Sequence, residues 1–283
     1  MSETAFDLDA YFARIGYTGQ RTPTLQTLRE IHRCHAGSIP FENLNPFLGW
    51  PVRLDMTSLE DKLVRGGRGG YCFEHNLLLM HALRAMDFSV SGLGARVLYN
   101  VAPGVVGPRT HMLLHIVLDG TSYVADAGFG GQTLTDPLQL KAGFEQTTSL
   151  EPFRLEAAGD QFVLEARLGD QWRALYRFGL EEQLQVDYEV TSWYLSNHPQ
   201  SQFVNNLIAA RPDVDRRYAL RNKEFTVHYL DGRTERRVLA SPPEVRTILE
   251  SAFRIALPKS PDVDTAFERL MGTPVYHQEP RTP

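Results

Sequence analysis

Cys72 is one of only two cysteines in the 283-residue chain, and it follows Arg68-Gly69-Gly70-Tyr71 at the expected start of a helix. Backbone N–H groups in the first turn of a helix have no helical acceptor and carry positive partial charge. A thiolate there is stabilised, and the thiolate is the nucleophilic form. His111 and Asp126 follow on segments that read as two paired strands. Cysteine, histidine and a carboxylate are the parts of an acyl-transfer triad. The thiol attacks, the imidazole takes its proton and holds the thiolate as an ion pair, and the carboxylate fixes the imidazole tautomer. Backbone N–H groups beside Cys72 are placed to donate to an oxyanion.

Whether His111 and Asp126 meet depends on strand register. With Asp119-Gly120 as a two-residue hairpin loop, Leu118 pairs with Thr121 and Asp126 falls opposite Leu113. His111 shares a face with Leu113 because side chains alternate along a strand. The pair are then diagonal neighbours with Cα atoms roughly 7–8 Å apart, a gap that an imidazole and a carboxylate can span. A three-residue loop would send them to opposite faces.

The elements around these residues change character along the chain. Residues 1–87 read as a helical bundle carrying the nucleophile. Asp7 caps a first helix that Gly16 ends, Thr22-Pro23 opens a second, and Thr57-Ser58-Leu59-Glu60 has the pattern of a capping box for a third. The fourth begins near Cys72 and is apolar on several faces, so it is expected to be buried. Near Phe88 the pattern turns to alternation. Strands are expected at 93–101, 110–118, 121–127, 152–157, 161–167 and 172–178, with glycine–aspartate turns between them. Residues 88–200 therefore read as an antiparallel, barrel-like β domain carrying His111 and Asp126, closed by a helix at 186–197. Residues 201–283 read as an α/β lid. Its strands are expected at 217–220, 224–230 and 233–239, followed by a helix from Ser241 to about Ile255, another from Asp264, and a loose tail at 272–283. The fold class is α+β.

Net charge of -5 argues against a general nucleic-acid or membrane-surface binder. No apolar run approaches the roughly 18 residues of a spanning helix, and the N-terminus lacks the pattern of a secretory signal. Cys34 and Cys72 make no disulfide framework. The expected location is the cytoplasm, where thiols stay reduced. His32-Arg33-Cys34-His35 groups metal-ligating types, but neighbours on a helix point in different directions and no second ligand pair has zinc spacing, so no metal is expected. Glu42 and Arg68 flank apolar segments and are expected to pair with each other and hold the Cys72 turn.

Arg68-Gly69-Gly70-Tyr71-Cys72-Phe73-Glu74-His75-Asn76 resembles the signature of the prokaryotic arylamine N-acetyltransferases. So do Ile39-Pro40-Phe41-Glu42-Asn43-Leu44 upstream and Asp126-Ala127-Gly128-Phe129-Gly130 downstream. Tyr71 stands where many relatives have tryptophan, and Ala127 where valine is common. The resemblance implies acetyl transfer from acetyl-CoA to an aromatic amine or hydrazine through an acetyl-cysteine, with Cys72, His111 and Asp126 as the catalytic residues. It implies ping-pong kinetics, since the pantetheine arm must leave before the amine enters. It also implies that Phe129 and Phe203, with Phe41 as a weaker case, line the aromatic slot. The glycines at 128 and 130 would let backbone N–H groups approach the CoA pyrophosphate. The competing reading is a cysteine hydrolase or transglutaminase-like acyl transferase using the same triad.

Overall fold

The computed structural model describes residues 6–102 and 104–273. Helix α1 (Leu8–Ile15) starts where the Asp7 carboxylate accepts the Ala10 N–H, and it ends at Gly16 with φ 70°. Helix α2 (Leu25–Ser38) begins later than Thr22-Pro23 led us to expect. Thr24 is the cap, and Pro23 lies outside the helix. A two-residue strand β1 (Phe41–Glu42) and a short helix α3 (Leu44–Leu48) follow. Helix α4 (Met56–Leu59) is capped by Asp55, whose Oδ1 accepts the Ser58 N–H at 3.0 Å. Thr57 is thus inside the helix and the expected capping box is not used. An aspartate just upstream reaches the free N–H first. The chain continues through a π-helical stretch, Glu60–Arg65, to Gly66. Helix α5 (Cys72–Arg84) is buried on almost every face. Its side chains form the centre of the first hydrophobic core with Tyr11, Leu28, Ile31 and Leu63.

Eight strands follow: β2 (Ser89–Val97), β3 (Arg109–Leu118), β4 (Thr121–Ala125), β5 (Leu138–Gln139), β6 (Glu145–Gln146), β7 (Phe153–Ala158), β8 (Gln161–Leu168) and β9 (Gln171–Glu182). They pair antiparallel in the order β5-β4-β3-β2-β9-β8-β7-β6. Leu118 pairs with Thr121, and Asp119 and Gly120 both take positive φ, 48° and 73°, as a two-residue hairpin loop demands. The sheet's two end strands meet through one side chain. The Gln139 N–H donates to Gln146 Oε1 at 2.8 Å, and Gln146 Nε2 donates to the Gln139 carbonyl at 3.0 Å. An amide side chain thereby stands in for the last strand pairing and nearly closes the barrel. Inside lie Leu93, Leu113, Phe153, Leu164, Tyr176 and Phe178.

Helices α6 (Gln185–Asn197) and α7 (Gln202–Asn205) lead to a second sheet, built from β10 (Ile208–Pro212), β11 (Arg216–Arg221), β12 (Glu224–Tyr229) and β13 (Thr234–Val238). β1 joins its edge, in the order β1-β10-β11-β12-β13, with Phe41 opposite Ala210. Helices α8 (Pro242–Ser251) and α9 (Pro261–Met271) cover the sheet around Leu207, Leu249, Phe253 and Phe267. Helix α8 stops short of Ile255, and Arg254 turns left-handed at φ 58°. Most of the expected tail, residues 274–283, lies outside the described residues. The α+β arrangement of helical part, barrel-like sheet and α/β lid is the expected one. No helix among the described residues is long and apolar enough to cross a membrane.

Candidate active site

The position of Cys72 is set by packing that only glycine permits. The segment before Cys72 lies beside β1. Glu42 N–H donates to the Gly70 carbonyl at 2.8 Å, and Gly70 N–H donates to the Pro40 carbonyl at 3.3 Å. A Cβ on Gly69 would collide with the Pro40 carbonyl oxygen, and one on Gly70 would sit 2.7 Å from Glu74 Cβ. Glu74 then caps α5: its carboxylate accepts the Tyr71 N–H at 3.0 Å and the Lys62 ammonium at 2.7 Å. Burial raises the Glu74 carboxyl, with Lys62 offsetting part of the effect. Glu42 and Arg68 do pair, at 2.7 Å from Nη2 and 2.8 Å from Nε. Burial pushes the Glu42 carboxyl up, but Arg68 and Lys62 outweigh it and hold the group below its ordinary value. Cys72 emerges from this frame as the first residue of α5, buried, with Sγ 3.7 Å from the Thr110 carbonyl.

His111 comes from β3 and Asp126 from the residue just after β4, in the expected register. His111 Nε2 donates to Asp126 Oδ2 at 2.6 Å, which leaves Nδ1 available to other partners. Burial alone would lower the imidazole pKa. The Asp126 charge and hydrogen bond, with a contribution from Cys72, raise it instead to about 10. His111 is therefore an imidazolium at neutral pH. Asp126 is fully buried, which favours its neutral form, yet its pKa is lowered by His111, Asn76 and the Gly128 N–H. A cysteine at a helix N-terminus, an imidazole and a carboxylate are the groups that acyl transfer through a cysteine would use.

Several residues that hold Asp126 were not singled out from the sequence. Asn76 Nδ2 donates to Asp126 Oδ1 at 3.0 Å and to the Met112 carbonyl at 2.7 Å, while its Oδ1 accepts the Ala127 N–H at 3.1 Å. Asn76 lies four residues beyond Cys72, on the same helix face, and that spacing was the available signal. The Asp126 N–H donates to His32 Nε2 at 3.1 Å. His32 is thus an acceptor and neutral, and burial lowers its pKa. Its neighbour His35 belongs to another chain of bonds. Tyr11 OH meets His35 Nδ1 at 2.8 Å, His35 Nε2 meets His75 Nδ1 at 3.0 Å, and His75 Nε2 donates to the Pro40 carbonyl at 3.0 Å. Two histidines of the apparent metal motif are therefore engaged in protein hydrogen bonds. Among the described residues no group of three or more His, Cys, Asp or Glu side chains is arranged to hold a metal.

One aromatic group packs on His111 and a second on Tyr71, the residue before Cys72. Phe129 packs edge-on to His111 at 5.0 Å between ring centroids and lies 5.1 Å from Tyr176, whose ring is 4.8 Å from His111. Phe203 lies 6.1 Å from Phe41 and 5.8 Å from Tyr71. Tyr71 OH in turn bonds Ser192 of α6. Gly130 closes over Phe41, where a Cβ would stand 3.5 Å from the ring. Gly128 lies against both Asp126 and the start of α5. Its N–H donates to Asp126 Oδ1 at 2.9 Å, and a Cβ there would lie 2.7 Å from Cys72 Cα. Cys34, the other thiol, is half-buried; burial and Glu30 raise its pKa.

A family model described as N-acetyltransferase matches residues 24–262. An arylamine N-acetyltransferase of Mycobacterium tuberculosis is 45% identical over 255 residues, covering 89% of this chain and 90% of its own. One from Escherichia coli is 39% identical over 253 residues, covering 88% and 89%. The solved structure of Mycobacterium marinum arylamine N-acetyltransferase in complex with CoA superposes with a TM-score of 0.90 at 39% identity, covering 93% of this chain and 99% of that one. Sequence and backbone agree over most of the length, and the chain belongs to the arylamine N-acetyltransferase family.

Proposed function

We propose that the chain acetylates aromatic amines or hydrazines with acetyl-CoA, and that Cys72, His111 and Asp126 carry the reaction. The supporting observation is Cys72 at the start of α5, together with a buried imidazole that Asp126 holds at 2.6 Å. In the first half-reaction the Cys72 proton resides on His111, and the Cys72 thiolate attacks the thioester carbonyl. The tetrahedral adduct collapses, CoA leaves as thiolate, and His111 supplies its proton. In the second the amine attacks acetyl-Cys72, His111 takes the amine proton, and the Cys72 thiolate is expelled. Asp126 keeps the imidazole in the required tautomer throughout. Thiol–thioester exchange is nearly balanced in energy, so the acetyl-enzyme waits for its acceptor.

In this reading Phe129 and Phe203, backed by Phe41, form the walls of a flat apolar slot for the arene. Gly130 lets the loop close over Phe41, and Glu42 with Arg68 braces the nucleophile's turn. The M. marinum relative was solved in complex with CoA, which supports CoA as the donor here. Two free thiols fit a reducing compartment such as the cytoplasm. The helical part to residue 87 supplies the nucleophile, residues 88–200 the base and carboxylate, and the remainder the lid.

Intact-protein mass spectrometry after incubation with acetyl-CoA alone tests the reading. Wild type and Cys34→Ala gain one acetyl group, and Cys72→Ala gains none. An unmodified wild-type protein would refute the covalent mechanism.

A further inference from the structure

Arg217 lies on β11, in the C-terminal sheet, yet its guanidinium is buried against the barrel. Nε donates to Glu151 Oε2 at 3.0 Å, and Nη2 lies 2.8 Å from Glu151 Oε1. Nη2 also donates to the Thr133 carbonyl at 2.9 Å, while the buried Nη1 has no hydrogen-bond partner. The Glu151 carbonyl accepts from Thr148, whose hydroxyl in turn accepts from Thr135, so the carboxylate stands on a fixed turn. A buried ion pair is seldom the most stable choice, because a well-packed apolar pair of similar volume often serves stability equally well or better. What this pair adds is the third bond, to Thr133.

Thr133 is where the loop bearing Phe129 is tied off. Its N–H donates to the Gly130 carbonyl at 3.1 Å and its hydroxyl donates to the Asp126 carbonyl at 2.9 Å. The same hydroxyl accepts the Phe129 N–H at 3.3 Å. Every hydrogen-bonding group of Thr133 but its carbonyl is engaged within the loop, and the carbonyl is held from the C-terminal sheet. Phe129 is in ring contact with His111 and Tyr176 and half-buried. We infer that Arg217 is a positioning residue for the amine half-reaction: it fixes Thr133, and through it the Phe129 wall, so that acceptance of an arene depends on the docking of the C-terminal sheet. This inference rests on Phe129 being a wall of the acceptor slot.

The test discharges preformed acetyl-enzyme to an arylamine and, separately, to unsubstituted hydrazine, which needs no aromatic wall. The readout is the ratio of the two specificity constants, which is independent of the fraction of folded protein. Arg217→Lys keeps a cation opposite Glu151 and loses the fork; it should lower the ratio five- to twentyfold. The double variant Arg217→Met/Glu151→Leu removes both charges, retains or raises thermal stability, and should lower the ratio to a similar extent. Phe129→Ala is the control and should lower it at least as far. A shift in all three supports the inference. A shift in Phe129→Ala alone overturns it and leaves the wall reading standing. No shift in Phe129→Ala overturns the wall reading and the inference with it, whatever the Arg217 variants do.

Discussion

Gly128→Ala is the sharpest steric probe of the site. The backbone at Gly128 is not left-handed, so alanine meets no conformational strain there. The added methyl would lie 2.7 Å from Cys72 Cα and 3.0 Å from both the Cys72 carbonyl oxygen and Asn76 Nδ2. Comfortable carbon contacts begin at about 3.5–4.0 Å, so the loop and the helix start must part by roughly 1 Å. That movement acts directly on the Gly128 N–H bond to Asp126 at 2.9 Å and, two residues back, on the His111–Asp126 bond at 2.6 Å. A misplacement of about 1 Å costs on the order of 10²-fold in rate, which is about 2.7 kcal/mol of barrier. Overpacking costs about 1–3 kcal/mol of stability besides. The assay is rapid-quench acetylation of Cys72 under single turnover, read by intact mass, alongside denaturant unfolding. The variant should acetylate about a hundredfold more slowly while folding cooperatively. A folded variant that acetylates within about threefold of wild type would mean that the contact between loop and helix does not set the triad's geometry.

Asp126→Asn removes the charge that raises the His111 pKa and leaves burial in command, so His111 should titrate below its ordinary value of ~6.5 instead of near 10. NMR of labelled histidine reads this, and an imidazole still protonated above pH ~8 in the variant refutes the assignment. Because the folded-state pKa is raised, the stability His111 contributes in the wild type is full below ~6.5 and is lost as pH rises through about 10. His75 behaves in the opposite sense. Burial lowers its pKa to about 4, the unfolded chain binds the proton first, and stability falls as pH drops from 6.5 towards 4. The loss is about 1.4 kcal/mol per pH unit, and His75→Asn should flatten that slope in denaturant titrations; an unchanged slope contradicts the buried chain of bonds. Arg68→Met leaves Glu42 with Lys62 at 4.0 Å as its nearest remaining cation, beside the Leu44 N–H, and should cost about 3–5 kcal/mol. A loss under about 1 kcal/mol by chemical denaturation would show the pair to be dispensable.

The parts of the fold that were legible are those specified locally. Asp119-Gly120 dictates a turn type, the turn dictates a register, and the register brings His111 to Asp126. Asp7 and Gly16 bound α1 in the same way. The misses have non-local causes. Ile208–Pro212 reads Ile-Ala-Ala-Arg-Pro, with no alternation, and becomes a strand because β1 and β11 lie on either side of it. Gln146 looks like an ordinary polar residue, and its service as a substitute strand is visible only once the barrel has curled. Asn76 and His32 act on Asp126 from helices 50 and 94 residues away in the chain. A pattern read along a single line does not reveal that they converge.

The pairing of β1 with β10 bears on how the protein is made. Asn43, just after β1, donates to the carbonyl of Phe203, a partner 160 residues further along the chain. At a synthesis rate of about 5–20 residues per second that partner arrives roughly 10–30 s after β1. During this interval the brace around the nucleophile has emerged, but the sheet that completes it has not. Contacts of such separation also slow folding, because the loop must close before they form. During that interval the nascent chain carries Cys72 without its finished frame. The sheet that pairs with β1 therefore forms well after Cys72 has been made.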